Sequence, residues 1–333
     1  MPTCGSPVGD GATLVRTFMS DIVTFLQTQV CTQNQTISDV PVLNCWFIYI
    51  SLKILDRRLS VAPMMGCTDR HFRFLLRLLS PNAMLYSEMI VTGALLYGEK
   101  EKFLNHSNDA PCSFQLGGSD PKELAMAATL IEQAGYQEVN INCGCPSDRV
   151  QVGGIGACLM AKPELVADCY HAMSSAVDIP VTVKTRIGID NKEDYQFFKH
   201  FILTLYEAGC RTFIIHARKA ILKGLTPKEN RDVPPLKYHY VYQVMKELPD
   251  ATFILNGGIK TLADFVELKP QTDGLMLGRA IYSNPYLLAH LENATFSTTL
   301  PSQLDILGEY RSYIIRQLDD RVAIKHMIKH LLG

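Results

Sequence analysis

The stretch PVTVKTR, residues 180–186, lies between two runs that carry helix start and stop signals. Its period-2 alternation reads as a strand, with Thr182, Lys184 and Arg186 on one face and Val181 and Val183 on the other. Upstream, a helix over 163–176 begins at Pro163, whose missing N–H costs nothing in a first turn, and stops before Asp178-Ile-Pro180. Downstream, the run Asp194–Ala208 ends at Gly209, a natural helix stop. A strand with a helix on each side is one unit of a repeat, and the repeat continues in both directions. Toward the N-terminus come LSVAPM (59–64), AMLYSEM (83–89), CSFQL (112–116) and EVNINC (138–143). Toward the C-terminus come RTFIIHA (211–217), TFILN (252–256) and DGLMLG (273–278). A helix over 121–134, opened by Asp120-Pro121 and closed by Gly135, fills one of the gaps. Eight mostly apolar strands alternating with helices predict a (β/α)8 barrel, with strands buried on both faces. The structural alternative is a doubly wound open sheet.

The barrel accounts for residues 59–285. Residues 1–58 carry little pattern and are set aside as an N-terminal extension of unknown role. Their most apolar run, 40–55, is shorter than a membrane span and contains Asn44 and Lys53, so a buried or surface helix is expected and no membrane partner. Residues 286–333 read as a helical appendage. A formal net charge of −1 argues against a dedicated basic nucleic-acid binder but leaves room for a local basic patch. Ten scattered cysteines without a framework indicate a reducing compartment. Cys143 and Cys145 lack zinc-knuckle spacing, so no metal is expected. The expected state is a cytoplasmic monomer, or an organellar one if the extension is a targeting segment.

Barrels work at the C-terminal ends of their strands, and the unusual polar residues of this sequence collect there. Lys184 and Arg186 should face the barrel mouth, where two cations require an anionic or electron-rich ligand, or an ion pair with Glu88. His216 ends strand six and Gln115 ends strand three. Gly257-Gly258 after strand seven and Gly278-Arg279 after strand eight would bring amides and a guanidinium to a phosphate. A phosphate there, a lysine at strand five and an amide at strand three outline a long ligand across the mouth, and flavin mononucleotide (FMN) fits. Lys184 would stabilise negative charge at the N1/O2 edge of the reduced ring, and Gln115 would bond its pyrimidine edge. Pro63 and Met64 would offer backbone and apolar contact to the ring. Cys145, in the loop that Pro146 breaks from strand four, would donate a proton to a C=C that takes hydride from the flavin, while Cys143 packs at the rim.

Together these residues resemble the tRNA-dihydrouridine synthases, most closely their A-type subfamily. The stretches that carry the resemblance are VAPMMGCTDRHFR (61–73), QLGGSDP (115–121), GCPSDRVQ (144–151), GACLMAKPELVADC (156–169), PVTVKTRIGID (180–190), FIIHARKA (213–220), GLTPKENRDVPPL (224–236), NGGIK (256–260) and GRAIYSNP (278–285). GCPSDRVQ with PKENRDVPPL is the specific combination, because NGGI and GR recur in many flavin barrels. The resemblance implies reduction of the C5–C6 bond of D-loop uridines in tRNA, with NADPH as reductant and Cys145 protonating C5. It implies FMN contacts from Pro63, Met64, Gln115, Lys184, His216, Asn256, Gly257, Gly258, Gly278 and Arg279. Asn142 and Arg186 would hold the uracil edge, and Lys228 and Arg231 would meet the RNA. It makes residues 286–333 a tRNA-binding helical domain, with Arg311, Arg316, Arg321, Lys325 and Lys329 as phosphate contacts.

Three departures stand out. Gly66-Cys67 replaces the family's Asp-Trp, which would loosen the loop beside the flavin. Val152 replaces an Asn, which touches substrate grip, and the chain stops at Gly333, short of the family's Arg- and aromatic-rich tail. Competing readings are a flavin barrel for a free pyrimidine, which needs no Lys228 or Arg231, and a tRNA binder without turnover, against which the intact Cys145, Lys184, His216 and Arg279 weigh.

Overall fold

The computed structural model describes residues 55–106 and 108–331. The apolar run at 40–55 therefore lies, but for its last residue, outside the described residues. The strands are β1 (Leu59–Val61), β2 (Leu85–Val91), β3 (Cys112–Gly117), β4 (Glu138–Cys143), β5 (Val181–Arg186), β6 (Thr212–His216), β7 (Thr252–Asn256) and β8 (Gly274–Leu277). All pairings are parallel in the order β1-β8-β7-β6-β5-β4-β3-β2. A parallel bridge from Ser60 to Met84 joins the two ends, so the sheet closes into the barrel. Met84 makes that closure just before β2 begins, and an irregularity between Tyr86 and Met89 lets the strand run on to Val91. This is why β2 sits two residues later than its sequence pattern.

The helices are α1 (Arg70–Leu79), α2 (Thr92–Tyr97), α3 (Lys100–Leu104), α4 (Pro121–Gln133), α5 (Asp148–Val152), α6 (Pro163–Ser174), α7 (Tyr195–Glu207), α8 (Tyr238–Glu247), α9 (Leu262–Leu268), α10 (Arg279–Ser283), α11 (Leu287–Phe296), α12 (Gln303–Asp319) and α13 (Lys325–Ile328). The starts follow local chemistry. Asp120 caps α4 by accepting from the Glu123 amide, with Pro121 in the first turn, and Asp194 caps α7 by accepting from the Phe197 amide. Thr261 and Asp264 form a reciprocal capping box on α9. Among the described residues, no helix is long and apolar enough to cross a membrane.

Outward-facing strand residues such as Val139, Ile141, Val183 and Ile215 pack under the helices in the large outer core. A smaller inner cluster of Ala62, Met84, Tyr86, Ile214, Ile254 and Met276 fills the barrel beside a group of buried polar groups. Its floor is made by Arg57, whose guanidinium binds the fully buried Glu138. The Arg57 carbonyl presses so close to Gly274 that a Cβ there would collide with it. Arg58 joins in, its carbonyl accepting from the Leu275 amide. Arg57 and Arg58, placed in the extension by sequence, thus belong to the barrel.

The C-terminal helices dock on α1. Phe74 stacks on Tyr313 at 4.0 Å and on Tyr310 at 6.4 Å. His330 packs on Phe72 at 5.1 Å and bonds Asp69, the N-cap of α1, at 2.9 Å.

Candidate active site

The C-terminal ends of the strands open into one cavity of about 1370 Å3, larger than a typical small-ligand pocket of roughly 300–1,000 Å3. Its wall brings together Pro63, Met64, Gln115, Asn142, Cys145, Lys184, Arg186, His216, Asn256, Gly257, Gly258, Gly278, Arg279 and Arg231. Of the residues assigned from the sequence to flavin, uracil and the adjoining RNA loop, Lys228 is the exception. It is exposed on the outside of the same loop and does not line the cavity.

The loop after β4 carries Cys145, and several contacts shape it. Asn142 Oδ1 accepts from the amides of Gly144 at 3.0 Å and Cys145 at 2.9 Å. The Cys145 carbonyl accepts from the Ala157 amide at 2.8 Å, an approach that Gly156 permits. Gly156 has φ +78°, and a Cβ on it would lie 2.6 Å from that carbonyl. Gln151 pins the far side, donating to the carbonyls of Pro146 and Leu222, both at 2.8 Å. Cys145 is partly exposed, whereas Cys143 is fully buried among core side chains, as expected.

Lys184 donates to Asn256 Oδ1 at 3.2 Å, and Asn256 in turn donates to the Met276 carbonyl. The alternative, an ion pair with Glu88, is not formed: Glu88 accepts from the Gly66 amide. Burial first, and then the neighbouring Arg186, push the Lys184 ammonium down from 10.5 to about 7. Burial and the cations Arg186, Lys184, Arg218 and Arg231 hold His216 well below the usual imidazole range, so it is neutral. Arg186 is a strut as well as a cavity cation. It reaches the carbonyls of Gly144 at 3.1 Å, Asn230 at 2.9 Å and Lys219 at 3.3 Å. Burial also weakens its hold on its proton.

The glycines form a cradle. Gly257 (φ +106°) and Gly258 (φ +81°) adopt left-handed conformations, and a Cβ on Gly257 would sit 2.5 Å from the His216 ring. A Cβ on Gly258 would meet Leu236 and Tyr238. Arg279, opening α10, holds both carboxylate oxygens of Asp232 at 2.7 and 2.8 Å. The cavity wall carries Arg149, Lys184, Arg186, Arg231, Lys260 and Arg279 against the carboxylate of Asp148, and Asp232 pairs with Arg279 at the rim. A cavity with this balance is complementary to an anion.

Three further residues build the site although the sequence reading passed over them. Asn230 is fully buried, and its side chain holds the Ile221, Leu225 and Thr226 carbonyls while its own carbonyl takes Arg186. It folds the loop that presents Lys228 and Arg231, and an Asn inside a turn-rich motif was the available signal. Gln151 and Arg218 lie within the quoted motifs, yet Leu222, which Gln151 reaches, is 71 residues away, and the Asp232 and Pro234 carbonyls that Arg218 reaches are 14 and 16 away. Gly66-Cys67 does not leave its loop loose: Glu88 holds the Gly66 amide and Lys329 bonds the Gly66 carbonyl at 3.1 Å. Val152 is 90% exposed and outside the cavity wall.

The dihydrouridine synthase family model matches residues 60–333. A tRNA-dihydrouridine(20/20a) synthase of Pseudomonas aeruginosa is 53% identical over 282 residues, covering 84% of this chain and 85% of that protein. The enzyme of the same name from Vibrio cholerae is 48% identical over 279 residues, covering 83% of this chain and 85% of that one. A solved 2-naphthoyl-CoA reductase in complex with 2-naphthoyl-CoA superposes with a TM-score of 0.56. At 10% identity, over 71% of this chain and 50% of that one, it is a likeness of fold alone. The match spans the barrel, every loop that builds the cavity and the C-terminal helices, and this chain belongs to the dihydrouridine synthase family.

Proposed function

We propose that this chain reduces uridine in the D-loop of tRNA to 5,6-dihydrouridine, using FMN reduced by NADPH. The observation that supports the reading best is the placement of Cys145 on a braced loop at the wall of an anion-complementary cavity that also holds Lys184, His216 and the glycine cradle. The residues fit a flavin. The cradle of Gly257, Gly258 and Gly278, with Arg279, suits a phosphate that no side chain at the glycines would allow to approach. Lys184, destabilised as a cation, gains most from a negative ring edge beside it. Neutral His216 meets a ligand without adding charge.

When bound, the flavin supplies hydride. The protein's own groups do the rest. Lys184 would steady negative charge on the ring, Gln115 would hydrogen-bond its polar edge, and Pro63 and Met64, which line the cavity, would hold the ring. Asn142 and Arg186 would hold the uracil, and the Cys145 thiol would give its proton to C5. The cavity exceeds one small ligand, which supports a ring and an inserted base together.

Arg231 at the cavity wall and exposed Lys228 outside it contact the RNA, and the C-terminal helices form its second contact surface, with exposed Arg311, Arg316, Arg321 and Lys325. Lys329 serves another role, because Asp69 binds it at 2.7 Å. The enzyme is proposed to act as a monomer. Replacing Cys145 with Ala should leave flavin binding intact and reduce dihydrouridine formation by about 100-fold or more, the usual worth of a positioned acid. Full activity in that variant would remove the acid role.

A further inference from the structure

Inside the barrel a file of polar side chains runs from the Cys145 loop to the floor, and every bond in it donates in the same direction. The Gly144 and Cys145 amides donate to Asn142 Oδ1, and Asn142 Nδ2 donates to Gln115 Oε1 at 2.8 Å. Gln115 Nε2 donates to Asn140 Oδ1 at 2.7 Å, and Asn140 Nδ2 to Thr182 Oγ1 at 2.9 Å. The Thr182 hydroxyl donates to Glu138 Oε1 at 2.9 Å, beside the Tyr86 hydroxyl at 2.9 Å, and Glu138 Oε2 is held by Arg57. Glu138, Asn140 and Thr182 are fully buried, and none lies on the cavity wall.

A carboxamide can turn over without changing its shape, so the partners at the ends of such a file decide its orientation. Here both ends demand the same direction. A backbone N–H only donates, and Glu138, whose other oxygen takes Arg57, accepts from the Thr182 hydroxyl. Each amide between them has one permitted orientation, and aligned bonds polarise one another. The consequence appears at the top. Asn142 Oδ1 already carries two backbone bonds, so the side chain can show a ligand only an N–H. That matches a pyrimidine carbonyl, as uracil has at C4, and rejects the amino group cytosine has there.

We infer that Asn140, Thr182 and Glu138, anchored by Arg57, are positioning residues that set the donor–acceptor polarity of Gln115 and Asn142 at the active site. The inference rests on the proposed contacts of those two amides with flavin and uracil.

The test compares Thr182→Val, which keeps the shape and removes the hydroxyl, with Thr182→Ser, which keeps the hydroxyl. Three readouts are taken on purified protein: flavin absorbance and reduction potential, the iodoacetamide alkylation rate of Cys145 mapped by mass spectrometry, and kcat and KM with tRNA. The Val variant should shift the flavin bands, change the alkylation rate by about threefold and lower kcat about fivefold, the worth of one hydrogen bond. Its KM for tRNA should stay within about twofold, and Ser should restore all three. A folded Val variant matching the wild type in spectrum and alkylation would overturn the inference, as would Val and Ser being equally impaired. If the Val variant does not fold, Asn140→Leu, which removes both the acceptor that Gln115 Nε2 uses and the donor to Thr182, should give the same changes, and its silence is equally decisive. A wild-type protein that binds no flavin would overturn the functional reading instead, and Cys145 alkylation would still read the file.

Discussion

Replacing Lys184 with Met should make the flavin-free protein more stable and the enzyme worse. Lys184 is partly buried at the cavity wall beside Arg186, and burial first, then Arg186, pushes its ammonium down from 10.5 to about 7. Below pH about 7 it is protonated in both folded and unfolded chains, so the folded state bears the whole cost of the buried charge. Between about 7 and 10.5 the folded chain releases a proton that the unfolded chain keeps, so stability rises with pH and the cost fades. Each tenfold change in proton affinity is worth about 1.4 kcal/mol, which sets an upper bound of about 5 kcal/mol at pH 6. The cavity mouth is open to water, which lowers the realised figure to about 1–2 kcal/mol. For a chain of this size that is a rise in Tm of roughly 1.5–3 °C. The assay is urea denaturation of wild type and Lys184→Met, both stripped of flavin, from pH 6 to 10. The Met variant should lead by about 1–2 kcal/mol at pH 6 and the gap should shrink steadily toward pH 10. A gap of opposite sign, or one that ignores pH, would refute a buried charge cost at Lys184.

Gly257→Ala should lower the melting temperature and the flavin content of purified protein together, because its Cβ would lie 2.5 Å from the His216 ring at φ +106°. The strain of a left-handed alanine alone is about 1–2 kcal/mol. Asp69→Asn should loosen the C-terminal segment, since Asp69 receives both Lys329 at 2.7 Å and His330 at 2.9 Å. These partners, His330 foremost, hold its carboxyl far below the ordinary range, so the stability it gives is present above pH about 4 and lost on acidification. Faster hydrogen exchange over 325–331 in the variant checks this. Arg231→Glu should weaken tRNA binding at low salt and flatten its salt dependence more than Lys228→Glu does, because Arg231 lines the cavity and Lys228 stands outside it. Equal effects on filter-binding titrations would place both on the same footing.

Much of the barrel can be read from PVTVKTR and its neighbours because strand alternation and helix caps are local signals, written within a few residues of one another. The cavity residues were legible for a related reason: a polar side chain at the end of an apolar strand has few purposes other than the mouth. What escaped was everything that depends on pairing across the barrel. Glu138, Asn140 and Thr182 look like unremarkable strand residues until β3, β4 and β5 align. Arg57 looked like part of the extension because its partner Glu138 is 81 residues away. Lys329 looked like an RNA contact because nothing near it in sequence shows that Asp69 will claim it. The closing bridge between Ser60 and Met84 is likewise invisible in either segment alone.

The most direct test of the proposed chemistry is an anaerobic reduction followed by a single turnover. The purified protein would be titrated with NADPH, and unmodified tRNA would then be added while the flavin bands are followed and the nucleosides analysed by mass spectrometry. Bands that bleach with NADPH and return with tRNA, with one dihydrouridine formed per flavin and no return in Cys145→Ala, are the predicted result. A colourless protein, or a reduced one whose bands tRNA does not restore, would contradict it.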